Sequence, residues 1–200
     1  ENPQKARICI PVSGAAVQLE YYKILIEELL CDETKKECNE FNFSVVTREG
    51  NYTKSFIEHF RDTPGISFHI GANDEQTVEL YDELYYQLNP PSLEITKPSE
   101  QSFKVLTSPE TIGGPIMLLT EPVGRQEDDN LNFLERHGFI PSETTTKTLL
   151  QAIESNNTHL LLTYKSYASS WRGLRLPTDP YQATNFIIGC HKYGIFASMQ

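Results

Sequence analysis

Hydrophobic positions in the first third of the chain switch between strand-like runs and helical spacing three times. Arg7-Ile8-Cys9-Ile10-Pro11-Val12 is a short apolar run closed by Ser13-Gly14. Val17, Tyr21, Ile24, Leu25 and Leu29 then recur at i, i+3, i+4, which predicts a half-buried helix over 16–31 with Ser13 able to cap its entry. A second strand, Phe41 to Thr47, ends in Arg48-Glu49-Gly50-Asn51. The next helix, roughly 53–61, places Phe56, Ile57 and Phe60 on one face and stops at Thr63-Pro64-Gly65. A third strand, Ile66 to Ile70, ends in Gly71-Ala72-Asn73-Asp74, where Asn73 and Asp74 are good caps. The helix they open carries Val78, Tyr81, Leu84, Tyr85 and Leu88 and ends at Asn89-Pro90-Pro91.

Beyond this point the pattern is less regular. Leu93 to Glu100 contains Lys97-Pro98-Ser99 and reads as a linker or crossing segment. Phe103 to Thr107 and Ile116 to Thr120 read as short strands, and 124–129 as a polar loop. Asp129-Asn130 is placed to cap a helix over 131–137 that closes on Gly138, and 145–154 is a further helix with Leu149, Leu150 and Ile153 on its apolar face. His159 to Tyr164, apolar through Leu160-Leu161-Leu162, has the composition of a central parallel strand. A turn-rich loop over 166–180 holds the only tryptophan, Trp171, and Phe186–Cys190 with Tyr193–Ala197 reads as a closing hairpin. The alternation predicts an α/β chain of two small lobes with mostly parallel sheets. The first is 1–95 with 183–200 returning to it, and the second is 100–180.

Composition narrows the partners. A formal charge of −10 and a pI near 5.0 argue against nucleic acid as a partner, because phosphate neutralisation needs clustered cations. No apolar run reaches the ~18 residues of a membrane span, so insertion into a bilayer is not expected. The cysteines Cys9, Cys31, Cys38 and Cys190 lack zinc-ligand spacing, and neither a metal nor a cofactor is implied. Four cysteines allow three pairings. Cys31 and Cys38 flank the charged run 32–37 as a loop-closing disulfide would, and Cys9 with Cys190 would form a second bridge if their segments are neighbouring strands. The even count, in a sequence that starts at Glu1 rather than Met, favours a periplasmic or secreted protein over a reduced cytosolic one. Oligomeric state is not legible.

Two stretches carry a resemblance. Phe133-Leu134-Glu135-Arg136-His137-Gly138-Phe139 is followed by Leu149 through Leu162, and Pro180-Tyr181 leads into Phe186-Ile187-Ile188-Gly189-Cys190-His191-Lys192. Together with the order of elements, these resemble the second lobe and the returning strand of type II periplasmic solute-binding proteins. Asn157 and His159 stand where that family usually has Gly and Asp. The resemblance implies a non-catalytic binding or sensory module that captures a small polar or anionic solute between two lobes by hinge closure. It places ligand contacts on strand-end loops: Ser13, Arg48, Asn51, Asn73 and Asp74 in the first lobe, and Thr111, Gly113, Gly114, Lys165, Ser166 and Tyr167 in the second. Free backbone donors at helix starts suit an anion, Arg48 would add a bidentate clamp, and Trp171 with Tyr164 and Tyr167 would form an aromatic wall. For each of these residues the ordinary alternative is loop polarity, capping or a small core under the loop.

Two further readings follow from the same residues. A secreted interaction protein would use the Tyr, Trp and Arg residues of 164–175 against a protein partner. A serine hydrolase would use Ser13, but Val12-Ser13-Gly14-Ala15 departs from G-x-S-x-G, and the histidines show no catalytic or metal spacing. His69, inside an apolar strand, reads as a core histidine with a satisfied ring rather than as a base.

Overall fold

The computed structural model describes residues 5–12, 17–30, 40–86, 90–100, 102, 106 and 114–199, and the chain divides into two compact units, Glu1–Ile95 and Thr96–Gln200. In the first unit the strands are β1 (Ala6–Pro11), β2 (Phe41–Arg48), β3 (Ile66–Gly71) and β4 (Leu93–Thr96), and the helices are α1 (Leu19–Leu30), α2 (Asn51–Phe60) and α3 (Asp74–Tyr86). β1 pairs in parallel with β2 on one side and β4 on the other, and β2 pairs in parallel with β3, giving the order β3-β2-β1-β4. The helices supply the crossovers that parallel strands require.

Register sorts the side chains onto two unlike faces. One face presents Ile8 and Ile10, Phe43 and Val45, Phe68, and Leu93 and Ile95. α2 packs on it through Phe56, whose ring meets Phe68 edge-on at 6.2 Å. α1 lies beside α2, and His59 pairs with Glu27 at 2.6 Å. The other face presents Cys9, Ser44 and Val46, His69, and Glu94. α3 covers this polar face, with Tyr81 and Leu84 packed on Cys9 and Val46. Crossovers keep one hand, so a chain that runs outward from β1 to β3 and then returns past β1 to β4 places its third helix opposite the first two.

The second unit contains β5 (Ile116–Leu119), β6 (Gly173–Arg175), α4 (Arg125–Arg136), α5 (Glu143–Glu154), α6 (Thr158–Ala168), α7 (Pro180–Lys192) and a closing 3-10 turn (Phe196–Ser198). β5 and β6 pair in parallel, and Leu176 donates to the Leu119 carbonyl at 2.8 Å. Met117, Leu119, Leu131, Leu134 and Ile140 form one buried cluster with Leu106. Gly138, at φ +72, takes the left-handed turn that ends α4.

The α/β class and the first three strand–helix units stand as the hydrophobic pattern implies. Several other expectations are corrected. Leu93–Thr96 is a buried strand, not a linker. The polar stretch 124–129 belongs to α4, which Gly124 opens, so Asp129 and Asn130 lie inside that helix. His159 to Tyr164 is part of the helix α6, because Asn157 accepts from the Leu160 amide at 3.2 Å and starts a helical turn. Phe186–Cys190 lies in α7, capped by Asp179 with Pro180 in its first turn, so the chain does not close in a hairpin. The turn-rich loop after α6 contains β6. The strand expected over 103–107 lies almost wholly outside the described residues.

Candidate functional site

The strand order creates one special place in the first unit. The connections after β1 and β2 lead away from β1 on one side, whereas β4 lies on its other side, so the order reverses between β1 and β4. In open parallel sheets the crevice at such a reversal, outside the carboxyl ends of the strands, is where ligands bind. Here β1 ends at Pro11, and the amide of Val12 still donates to Val46 at 2.8 Å. The segment that follows, Ser13-Gly14-Ala15-Ala16, is built of small residues. Ser13, expected at the site, lies outside the described residues.

The other first-unit residues expected at the site gather at the ends of β2 and β3. Arg48 closes β2 and makes an ion pair with Asp74 at 3.1 Å, with the two side chains 44% and 82% exposed. A guanidinium so engaged is bound within the protein instead of forming an open anion clamp. Asn73 caps α3 by accepting from the Gln76 amide at 2.9 Å, while Gln76 reaches back to the Ala72 amide at 2.7 Å. Asn51 is the exposed first residue of α2. Arg48 and Asp74 thus meet as a surface pair, while Asn73 serves as the cap of α3.

In the second unit Thr111 and Gly113 lie outside the described residues, and Gly114 precedes β5. Lys165, Ser166 and Tyr167 are not on a strand-end loop: they form the last turn of α6, where the Ser166 hydroxyl donates to the Thr163 carbonyl at 2.7 Å. Tyr167 is 60% exposed, while Trp171 is buried and donates its backbone amide to Ala168 at 2.9 Å. Cys9 in β1 and Cys190 in α7 are both buried free thiols, so the second bridge does not exist; its premise of two neighbouring strands fails because Cys190 is helical. Burial pushes both thiols up from their ordinary range. Cys31 and Cys38 lie outside the described residues.

The linker reading of 93–100 concealed a polar cluster on either side of Thr96. Immediately after β4, Lys97 pairs with Glu127 at 2.6 Å, with the two side chains 22% and 13% exposed. Glu127 also accepts from the Val123 amide at 2.7 Å and so caps the start of α4. Burial opposes its charge, but Lys97 and the amides of Val123 and Gly124 outweigh this and hold the carboxyl below its usual range. Asn130 donates to the Pro98 carbonyl at 3.0 Å, and the Ser102 hydroxyl meets the Lys97 carbonyl at 2.8 Å. The segment after β4 is therefore fastened to α4. Its spacing is local enough to be read: Glu at the third helical position behind Gly124 is a capping pattern.

Within β4, Glu94 is 1% exposed and stands opposite Cys9 on the α3 face. Its Oε2 accepts from the Tyr81 hydroxyl at 2.7 Å and also from the Tyr85 hydroxyl. Burial raises this carboxyl to about 7, although both tyrosines favour the ionised form. Burial and the nearby carboxylate push both phenols far up, so they remain donors. His69, on the same face, is half-buried, and its Nε2 has no partner among the described residues. The expected satisfied ring is thus not found; burial, then Arg7, lowers the pKa of His69. No group of three or more acidic, histidine or cysteine side chains among the described residues has the arrangement to hold a metal ion.

The chain matches no family profile, and neither a curated protein nor a solved structure is significantly similar to it. The first unit offers a strand-order reversal at β1 and, separately, the second unit offers a braced Lys–Glu–Asn set. Among the described helices none is long and apolar enough to cross a membrane.

Proposed function

We propose that this chain is a non-catalytic binding module for a small phosphate-bearing ligand of nucleotide type, held at the carboxyl edge of the first unit where β1 and β4 adjoin. The observation that carries the reading is the order β3-β2-β1-β4, with its reversal at β1. This is the order of the first mononucleotide-binding half of doubly wound folds together with the strand that follows it across the reversal, and the reading to that extent rests on analogy of fold. The sequence after β1, Ser13-Gly14-Ala15-Ala16, supports it, because small side chains let backbone amides approach a phosphate closely. It lacks the three spaced glycines of the dinucleotide fingerprint, which favours a mononucleotide over a dinucleotide. Arg48 has no part in the proposal, being paired with Asp74.

The test is a thermal-shift panel of nucleoside mono-, di- and triphosphates, dinucleotides, inorganic phosphate, amino acids and sugars. Ligand at 100 times its Kd adds about 2.7 kcal/mol. For a chain of this size that is a rise of roughly 5–10 °C in Tm. The mononucleotides are expected to give it, and Gly14→Val to abolish it without lowering the ligand-free Tm. A flat response to all the nucleotides, or a response that survives Gly14→Val unchanged, would refute the proposal.

A further inference from the structure

α3 has a thin hold on the sheet. Its outward positions are strongly acidic, with Asp74, Glu75, Glu79, Asp82 and Glu83, and Val78 is largely exposed. Its buried contacts are few: Tyr81 and Leu84, flanked by Leu80 and Tyr85, against Cys9 and Val46. Two of these four side chains end in hydroxyls, and both hydroxyls donate to the same oxygen of Glu94. A strand covered on both faces is normally apolar, so a carboxyl in this position is held by those two bonds and stands at a cost when charged. The helix makes the charged form worse. Tyr85 lies in the last turn of α3, which has no basic residue, so the carboxyl sits near the negative end of the helix dipole.

We propose that the buried Glu94 carboxyl, held by Tyr81 and Tyr85, is a proton-operated latch for α3: both phenols bond the carboxylate more strongly than the acid, but keeping that charge out of water costs more, so the helix is firmly docked while the carboxyl carries its proton and opens to admit water when that proton leaves. Among the described residues, the groups facing the carboxyl are those two phenols and, from β1, the Cys9 thiol. Arg7 of β1 and Glu83 of α3 act on the same layer through His69, and Arg7 also through Cys9. The thiol and phenols stay protonated through neutrality, because burial raises all three.

The direction of the pH effect follows. A carboxyl raised from 4.5 to about 7 is protonated in the folded state where the unfolded chain has already ionised. Its stabilising contribution is full below the unfolded value and is lost as pH rises through about 7. His69 works the other way: with its pKa lowered from 6.5, folding gains as pH rises toward that value. The two trends overlap, so the latch is read from the difference between the wild type and Glu94→Gln, which keeps His69 in both.

The experiment uses the full chain, with urea melts between pH 5.5 and 8.5. Relative to Glu94→Gln, the wild-type folding equilibrium constant is expected to fall by on the order of thirty-fold across that range. Tyr85→Phe removes a bond that favours the carboxylate, so the midpoint of the wild-type trend moves to higher pH. Hydrogen exchange, corrected for its intrinsic pH dependence, is expected to rise through pH 7 in α3 and not in α5. Parallel curves for the wild type and Glu94→Gln, an unmoved midpoint in Tyr85→Phe, or exchange that rises equally in α5 would each overturn the latch. Should Glu94→Gln fail to fold, the Tyr85→Phe midpoint and the exchange data still decide it.

Discussion

Where α7 passes α5, Gly189 lies against Ile153, and this contact makes a prediction whose sign depends on background. A Cβ built at position 189 would fall 2.3 Å from Ile153 Cγ2 and 3.0 Å from its Cγ1 and Cδ1, far inside ordinary contact. Ile153 is β-branched and helical, so one χ1 rotamer dominates and Cγ2 cannot swing aside without cost. Overpacking of this kind costs about 1–3 kcal/mol, and a 2.3 Å approach belongs at the upper end. Replacing Gly by Ala in a helix interior returns about 1 kcal/mol of backbone propensity. Gly189→Ala is therefore expected to destabilise the second unit by roughly 1–2 kcal/mol. Ile153→Ala alone costs about 2–4 kcal/mol and opens the space that the new methyl needs. In that background Gly189→Ala becomes stabilising by about 1 kcal/mol, so the cycle shows a coupling of roughly 2–3 kcal/mol. Urea unfolding followed by the fluorescence of buried Trp171, in the same unit, gives all four values at constant m. An effect of Gly189→Ala with the same sign and size in both backgrounds would refute the packing argument.

Other expectations are more local. Gly71→Ala would bring a Cβ within 2.6 Å of the Thr77 backbone nitrogen, so it should displace the start of α3 and lower Tm by several degrees, on the scale of about 2–4 °C per kcal/mol. Asn73→Ala removes the cap of α3 and should cost about 1 kcal/mol in a denaturant melt. Glu127 is held below 4.5 when folded, so it adds stability above that pH and loses it as the solution becomes more acid; Glu127→Gln should flatten that part of the acid unfolding curve. Alkylation mapped by mass spectrometry at pH 8 should leave Cys9 and Cys190 unmodified in the native protein and modify both in denaturant.

What could be read from the chain was what periodicity encodes. β1, β2, β3 and the helices between them show clear switches between runs and helical spacing, and turn residues mark their ends. The misses have separate physical causes. β4 was hidden by Glu94: a carboxylate in a four-residue segment argues against a buried strand, and its partners Tyr81 and Tyr85 are 13 and 9 residues away on another element. In α6 the run Leu160-Leu161-Leu162 suits a buried strand or a helix equally well, and the structure buries Leu161 while exposing Leu162. α7 carried a readable signal, Asp179 before Pro180, a cap followed by a preset first turn, which outweighs the β-branched content of Ile187-Ile188. At the candidate site, position in the strand order mattered more than residue type. Arg48 and Asp74 are polar at strand ends but paired with each other, and Asn73 caps α3 through the Gln76 amide, whereas the reversal at β1 becomes visible only once β4 is recognised as a strand.

The late arrival of β4 also bears on how the chain folds during synthesis. β1, β2 and β3 follow one another in sequence and lie side by side in space, so they can assemble once residue 71 has left the ribosome. The other edge of β1 waits for a partner that comes much later: Ser92, which bonds to the Arg7 carbonyl, is 85 residues downstream. In that interval a strand destined for the interior presents open backbone groups, because no segment nearby in the sequence pairs with that edge. Slowing translation between residues 71 and 94 should lengthen this exposed interval and raise the yield of mispaired chains, whereas slowing it beyond 100 should not.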